Sequence, residues 1–175
     1  MPNASTPADG AAHLPRRIEI WLPILIVVID QITKAMIRAK LPLYASRTII
    51  PGFMDFTHVP NSGIAYGFLQ GVDFPFKTVI IAMIAATAMI SVGIYAAGLA
   101  RHKVIARIGL ALIIGGAAGN LIDRVIAGSV VDFVDVYWRT WHFWVFNIAD
   151  SAISVGVAAM IVDMLGVSTH VSKAA

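Results

Sequence analysis

The sequence contains no cysteine, which excludes disulfide bonds, thiolate catalysis and cysteine-ligated metal sites. Charged residues make up only 13% of the 175 positions, against roughly a quarter in a typical soluble domain. Glutamate is confined to Glu19, so aspartates are the acids that need an explanation. The formal net charge is only +3, and the sequence contains no long run of basic residues. We therefore expect no nucleic-acid partner.

Hydrophobic residues, by contrast, form 58% of the chain, and the mean hydropathy is +0.80. This composition indicates an integral membrane protein. Apolar stretches long enough to cross a bilayer lie at about 18–39, 76–99, 104–122 and 146–167. The first stretch could instead be a cleavable signal peptide. Asp30 and Lys34 within it, and the lack of a clear cleavage site after it, favour its retention.

The segments between the spans predict the rest of the architecture. Residues 41–73 mix Pro and Gly with short β-branched and aromatic stretches, which predicts two or three strands outside the membrane. Residues 123–145 predict a second outer loop, whose Tyr and Trp suit a membrane interface. We predict an all-α membrane protein with four transmembrane helices, a small extracytoplasmic β element and an outer loop. Residues 16–169 would form one domain between a disordered tail at 1–15 and a C-terminal tail at 170–175.

The distribution of basic residues indicates the orientation. One side of the predicted topology carries Arg16, Arg17, Arg101, Lys103, Arg107 and Lys173, and the other carries Lys40, Arg47, Lys77, Arg124 and Arg139. The positive-inside rule places the first, slightly larger set in the cytoplasm together with both termini.

This topology brings the polar residues of the spans to one height, at the outer face. The group consists of Asp30 and Lys34 in the first span, Asn120, Asp123 and Arg124 at the end of the third, Asn147 and Asp150 at the start of the fourth, and Asn61, Asp132 and Asp135 in the outer segments. A single Asp near a helix end could be a dipole partner or an interfacial anchor. A whole group of costly intramembrane charges indicates function.

The residue inventory limits the chemistry of this group. Only His58 and His142 lie on the outer side, so a serine–histidine pair is poorly supported. Asp132 and Asp135 could bind a divalent ion, but VDFVD is weak evidence, and we expect neither a metal nor a cofactor. Two carboxylates that share one proton fit the inventory best. One would act as base and its protonated partner as acid, to activate water for attack on a peptide bond.

Several linked motifs resemble lipoprotein signal peptidase, also called signal peptidase II. They are DQITK (30–34), NSGIAYGF (61–68), GGAAGNLIDRVIAGSVVDFVDVYW (115–138) and FNIADSAISVG (146–156), in the order and spacing of that family. Its members are four-span aspartyl proteases of the bacterial inner membrane. The resemblance implies that the signal peptide of a prolipoprotein is cut just before its diacylglyceryl-modified cysteine, and that globomycin inhibits the reaction.

The resemblance also implies roles for individual residues. Asp132 and Asp150 correspond to the catalytic pair of the family, and Asn61 and Arg124 to residues that hold the substrate backbone. A supporting polar shell would consist of Asp30, Lys34, Asn120, Asp123 and Asn147. A direct role for Asp135 stays open. With Asp132 in a loop, loop closure would complete the pair. The expected partners are diacylglyceryl-modified prolipoproteins and membrane lipid, and we expect a monomer.

Three other classes of function remain open at this level. A small proton-coupled transporter would use intramembrane carboxylates as a relay, although the second and third spans offer no polar path to the inside. A metal-dependent lipid head-group transferase would use Asp132 and Asp135. A purely structural bundle would tolerate Asn at Asp132 and Asp150.

Overall fold

The computed structural model describes residues 18–63, 72 and 74–166, and the predicted tails at 1–15 and 170–175 lie outside these ranges. Its helices are α1 (Ile18–Lys40), α2 (Lys77–Gly98), α3 (Val104–Ala127) and α4 (Ile148–Met164). Each predicted apolar stretch is therefore helical. Within the described residues, α1, α2 and α3 are long and apolar enough to cross a membrane, whereas α4 has 17 residues.

Helix α3 lies at the centre and packs against each of the other helices. Its contact with α4 depends on small residues. A Cβ atom at Gly116 would lie 2.3 Å from the carbonyl oxygen of Ala149, and one at Gly109 would lie 2.7 Å from that of Gly156. The two backbones therefore touch, as small residues permit in membrane helix pairs. The outer faces of the bundle are apolar, with Met83 64% exposed and Ile94 71% exposed on α2.

Helix α3 is longer than the predicted span at 104–122. It continues through Asp123 and Arg124 to Ala127, and ends at Gly128 in the left-handed conformation with φ of 75°. The charges suggested a loop, but Asp123 is neutralised within the bundle, since Lys34 and Arg38 of α1 lie 3.0 and 2.7 Å from its carboxylate oxygens.

A four-stranded antiparallel sheet covers one end of the bundle, in the order β1-β2-β3-β4. Strands β1 (Ser46–Ile50) and β2 (Met54–Asn61) confirm the strands predicted in residues 41–73. The prediction of an outer loop at 123–145 is wrong. This segment contains the end of α3 followed by β3 (Val130–Trp138) and β4 (Trp141–His142). Strand β3 pairs along β2, a remote partner that the local pattern does not reveal.

The opposite end of the bundle carries ion pairs between helices. Arg107 Nε donates to Glu19 Oε1 over 2.6 Å, which brings together the first turns of α1 and α3. Asp163, near the end of α4, is 8% exposed and lies 3.2 Å from Lys103 Nζ. These contacts show that α1 and α3 run in one direction and α4 in the other.

Candidate active site

Asp132 lies on β3 and is 4% exposed. Its Oδ2 accepts a hydrogen bond of 2.9 Å from the amide of Asn61, which lies at the end of the neighbouring strand β2. Its Oδ1 accepts a bond of 2.7 Å from the amide of Asn147, the residue that caps α4. Asp132 is therefore held in a paired strand and not in the predicted loop, so its position does not depend on loop closure.

Asp150 occupies the first turn of α4, where it forms a capping box with Asn147. The backbone N–H of Asp150 donates to Asn147 Oδ1 over 2.9 Å, and Asp150 Oδ2 accepts from the backbone N–H of Asn147 over 3.3 Å. The other carboxylate oxygen of Asp150 accepts a 2.7 Å bond from the amide of Asn120 on α3. Each carboxylate of the predicted pair therefore contacts Asn147, which lies between them.

The electrostatic environment distinguishes Asp132 from an ordinary carboxylate. Burial, together with the nearby charge of Asp150, raises the pKa of Asp132 from 3.8 to about 7. The amide donors Asn61 and Asn147 oppose this rise, because they stabilise the ionised form. Asp132 therefore changes its protonation state near neutral pH, as suits a group that gives and takes a proton.

A buried cation lies beneath this pair. Lys34 of α1 is fully buried, and its Nζ lies 2.8 Å from Asp30, 3.0 Å from Asp123 and 2.9 Å from Asn120 Oδ1. Asp30 in turn accepts the backbone N–H of Ala149, at 3.0 Å, in the first turn of α4. The ion network of Lys34, Asp30 and Asp123 thus links α1 to the turn of α4 that carries Asp150. Among the described residues, every buried side-chain nitrogen and oxygen atom has a hydrogen-bond partner.

Sequence reasoning missed two members of this network. Arg38 donates to Asp123 over 2.7 Å, and Gln31 donates to Gly119 O over 3.1 Å and to Asp30 over 3.2 Å. The spacing offered a signal for Arg38, because positions 30, 34 and 38 share one helical face.

Arg124 and Asn61 meet at Gly63. Arg124 donates to Gly63 O over 3.0 Å and to the carbonyl of Asn120 over 3.3 Å, while Asn61 Oδ1 accepts the backbone N–H of Gly63 over 2.8 Å. The positive charge of Arg124 also interacts with the carboxylates of Asp150 and Asp132. These contacts complete one connected network that contains every predicted site residue.

Asp135 lies apart from this network. Residues three positions apart on a strand point to opposite faces, so Asp135 points away from Asp132. It instead contacts His142 on β4, whose Nδ1 lies 3.0 Å from its carboxylate. The two carboxylates therefore do not converge on one ion, and the suggestion that Asp132 and Asp135 together bind a divalent ion is wrong. Across the described ranges, no group of three or more His, Asp or Glu is arranged to hold a metal ion.

Comparisons with known proteins agree with this architecture. A solved structure described as "Bacterial membrane enzyme structure by the in meso method at 2.3 A resolution" superposes with a TM-score of 0.80 at 29% identity, and covers 93% of this chain and 96% of the other. The fold and the buried polar site thus define a bacterial membrane enzyme.

The family can also be identified. The family model described as signal peptidase (SPase) II matches residues 22–166, and the chain belongs to this family of proteases. The lipoprotein signal peptidase of Geobacter metallireducens is 42% identical over 84% of this chain and 90% of its own length. That of Pseudomonas aeruginosa is 38% identical over 83% of this chain and 86% of its own length.

Proposed function

We propose that the protein is an aspartic endopeptidase that removes the signal peptide from prolipoproteins, cutting before the diacylglyceryl-modified cysteine. The observation that carries this proposal is the shared contact of Asp132 and Asp150 with Asn147. Membership of the signal peptidase II family, and relatives named lipoprotein signal peptidase, support the substrate class.

Asp132 and Asp150 are the proposed catalytic pair, and they share one proton. Two neighbouring carboxylates, of which Asp132 is buried and Asp150 half-buried, cannot both ionise cheaply, and the pKa of about 7 at Asp132 agrees with a pair that keeps one proton up to neutral pH. The proton belongs to the pair as a unit.

In the proposed reaction, the ionised carboxylate takes a proton from a water molecule while the water oxygen bonds to the scissile carbonyl carbon. The protonated carboxyl donates a hydrogen bond to the developing oxyanion. As the carbon–nitrogen bond breaks, the amine of the lipid-modified cysteine receives a proton from the pair. The pair gains one proton from water and gives one to the amine, so it returns to its starting state and never forms a covalent bond to the substrate.

Asn61 and Arg124 are the proposed contacts to the substrate backbone. Both already bind the backbone of Gly63, and these contacts support a role in holding a peptide segment beside Asp132. The polar shell of Asp30, Lys34, Asn120, Asp123 and Asn147 would fix the pair. The lipid anchor keeps the substrate in the membrane plane, which lowers the positional entropy lost on binding.

The proposed topology has four transmembrane helices in one domain, residues 16–169, of the bacterial inner membrane. At about 1.5 Å per residue, the 17 residues of α4 extend about 26 Å, close to the roughly 30 Å of a hydrocarbon core. The end of the bundle opposite the site carries Arg101, Lys103 and Arg107, which belong with Arg16, Arg17 and Lys173 to the set that the positive-inside rule assigns to the cytoplasm. This assignment leaves the outer face for the site. Both termini would then be cytoplasmic, and we expect the monomer to act on its own.

The decisive experiment uses purified protein and a diacylglyceryl-modified prolipoprotein precursor. We expect release of the signal peptide, inhibition by globomycin, and no effect of a chelator. The same precursor without its lipid is the matched control and should be cut far more slowly. Intact precursor after prolonged incubation with folded protein, or loss of cleavage on chelation, would overturn the proposal.

A further inference from the structure

A cavity of about 270 Å³ lies between the last two turns of α1 and the sheet, away from the polar network. Ile37 of α1 and Phe133 of β3, which are 7% and 3% exposed, form part of its wall. Phe56 of β2 packs edge-on against Phe133, with ring centroids 5.9 Å apart. Since neighbouring residues on a strand point to opposite faces, the cavity lies on the other face of β3 from Asp132.

Two cations complete the lining of this largely apolar cavity. Lys40 is the last residue of α1, and Arg47 lies on β1, which follows α1 along the chain. Both side chains are exposed, and within the described residues neither forms an ion pair or hydrogen bond with the protein. No acidic residue of the described ranges lines the cavity. The two positive charges are therefore available to an external anion.

We propose that this cavity binds an anionic phospholipid of the surrounding membrane, with its phosphate between Lys40 and Arg47 and the start of an acyl chain against Ile37 and Phe133. The position supports this ligand, because the end of a membrane helix lies at the depth of lipid head groups. Basic pockets beside membrane helices attract anionic head groups, and charge-assisted bonds to phosphate are strong.

The chemistry of the cavity also favours an anionic phospholipid over the diacylglyceryl group of a substrate. A diacylglyceryl group carries no phosphate and no charge, so it gains nothing from Lys40 and Arg47. The reacting end of a substrate must also lie beside Asp132, on the opposite face of β3. The proposal therefore concerns a bound membrane lipid, and it holds or fails independently of the proteolytic activity.

Native mass spectrometry of the detergent-purified protein, titrated with dioleoyl-phosphatidylglycerol, measures this binding directly. The double variant Lys40→Gln/Arg47→Gln should bind about 25-fold more weakly, because each cation near an anionic head group contributes about five-fold in affinity. Arg139→Gln is the matched control, since it removes an exposed cation from the turn between β3 and β4, outside the cavity, and its affinity should equal that of the wild type.

Two further ligands test the separate parts of the proposed site. Dioleoylglycerol lacks the phosphate and glycerophosphoglycerol lacks the acyl chains, so each should bind at least about ten-fold more weakly than the complete lipid. Equal binding of dioleoylglycerol, or an affinity unchanged in the double variant, would overturn the proposal. Equal loss in Arg139→Gln would also overturn it, because it would show only general attraction to a basic surface. Circular dichroism of each variant confirms that the fold is retained.

Discussion

The side-chain amide of Asn147 lies 2.7 Å from Asp132 Oδ1, and the carbonyl oxygen of the same side chain caps the backbone N–H of Asp150 at 2.9 Å. One residue therefore joins the strand that carries one carboxylate to the helix that carries the other. This double role can be separated by mutation, because capping needs an acceptor whereas the bond to Asp132 needs a donor with the reach of an amide.

Asn147→Ser should keep the cap and lose the link. Serine is a good N-cap residue, so the free energy of unfolding should exceed that of Asn147→Ala by about 1 kcal/mol. Neither side chain reaches Asp132, so both variants should lose most of the rate of precursor cleavage, by about 100-fold in kcat. Chemical unfolding in detergent and steady-state cleavage kinetics provide the two measurements. A serine variant with wild-type kcat would show that the bond to Asp132 is dispensable.

Asp132→Asn and Asp150→Asn should each lower kcat by at least about 10³-fold while the protein stays folded, because each removes a group that exchanges a proton in the proposed reaction. Asp135→Asn is the matched control on the same strand, and it should retain activity within a few-fold, since Asp135 contacts His142 outside the network. Cleavage of a lipidated precursor measures all three. Near-normal turnover in either of the first two variants would remove that residue from the pair.

The stability of the protein should also depend on pH through Asp132. Its pKa is raised in the folded state, so folding favours the protonated form, and this contribution is complete below about pH 4 and lost as the pH rises to about 7. Asp132→Asn cannot ionise, so its melting temperature relative to wild type should be higher at pH 8 than at pH 5. Thr87→Ala, an exposed change on α2, should show no such difference. The opposite trend for Asp132→Asn would mean that the folded state prefers the ionised form.

Lys34→Met should destabilise the protein severely, by about 3–5 kcal/mol, because it leaves the buried carboxylates of Asp30 and Asp123 without their shared cation. Adding Asp30→Asn should recover part of that loss, since one of the unpaired charges is then removed. Chemical unfolding in detergent compares the single and double variants. If Lys34→Met were as stable as the wild type, the ion network would not contribute to holding α1 against α3.

Gly116→Ala should destabilise the bundle by about 1–3 kcal/mol, because its Cβ would lie 2.3 Å from the carbonyl oxygen of Ala149 and force α3 away from α4. Since α4 carries Asp150, activity should fall as well. Gly93→Ala on α2 is the matched control, because no atom lies within 4 Å of its added Cβ, and alanine there should be neutral or slightly stabilising. Equal effects of the two changes on the melting temperature would contradict the close packing of α3 and α4.

The positions of the helices were predictable because hydropathy is a local property. A run of apolar residues gains free energy from helix formation in lipid whatever it later contacts, so the span predicted at about 18–39 corresponds closely to Ile18–Lys40. The end of α3 was not predictable in the same way. Asp123 looked like the start of a loop, and only Lys34 and Arg38, far along the chain, make its charge acceptable within a helix.

The sequence alone determined that the chain enters a membrane, that most of its acids lie toward one end, and which residues match the motifs of signal peptidase II. Only the tertiary structure decided that Asp132 lies on a strand, that Asp135 points away from it, and that Asn147 contacts both predicted catalytic carboxylates. The physical reason is that strand pairing and buried hydrogen bonds join residues distant along the chain. Their free energy depends on both partners, so neither partner's local sequence reveals it.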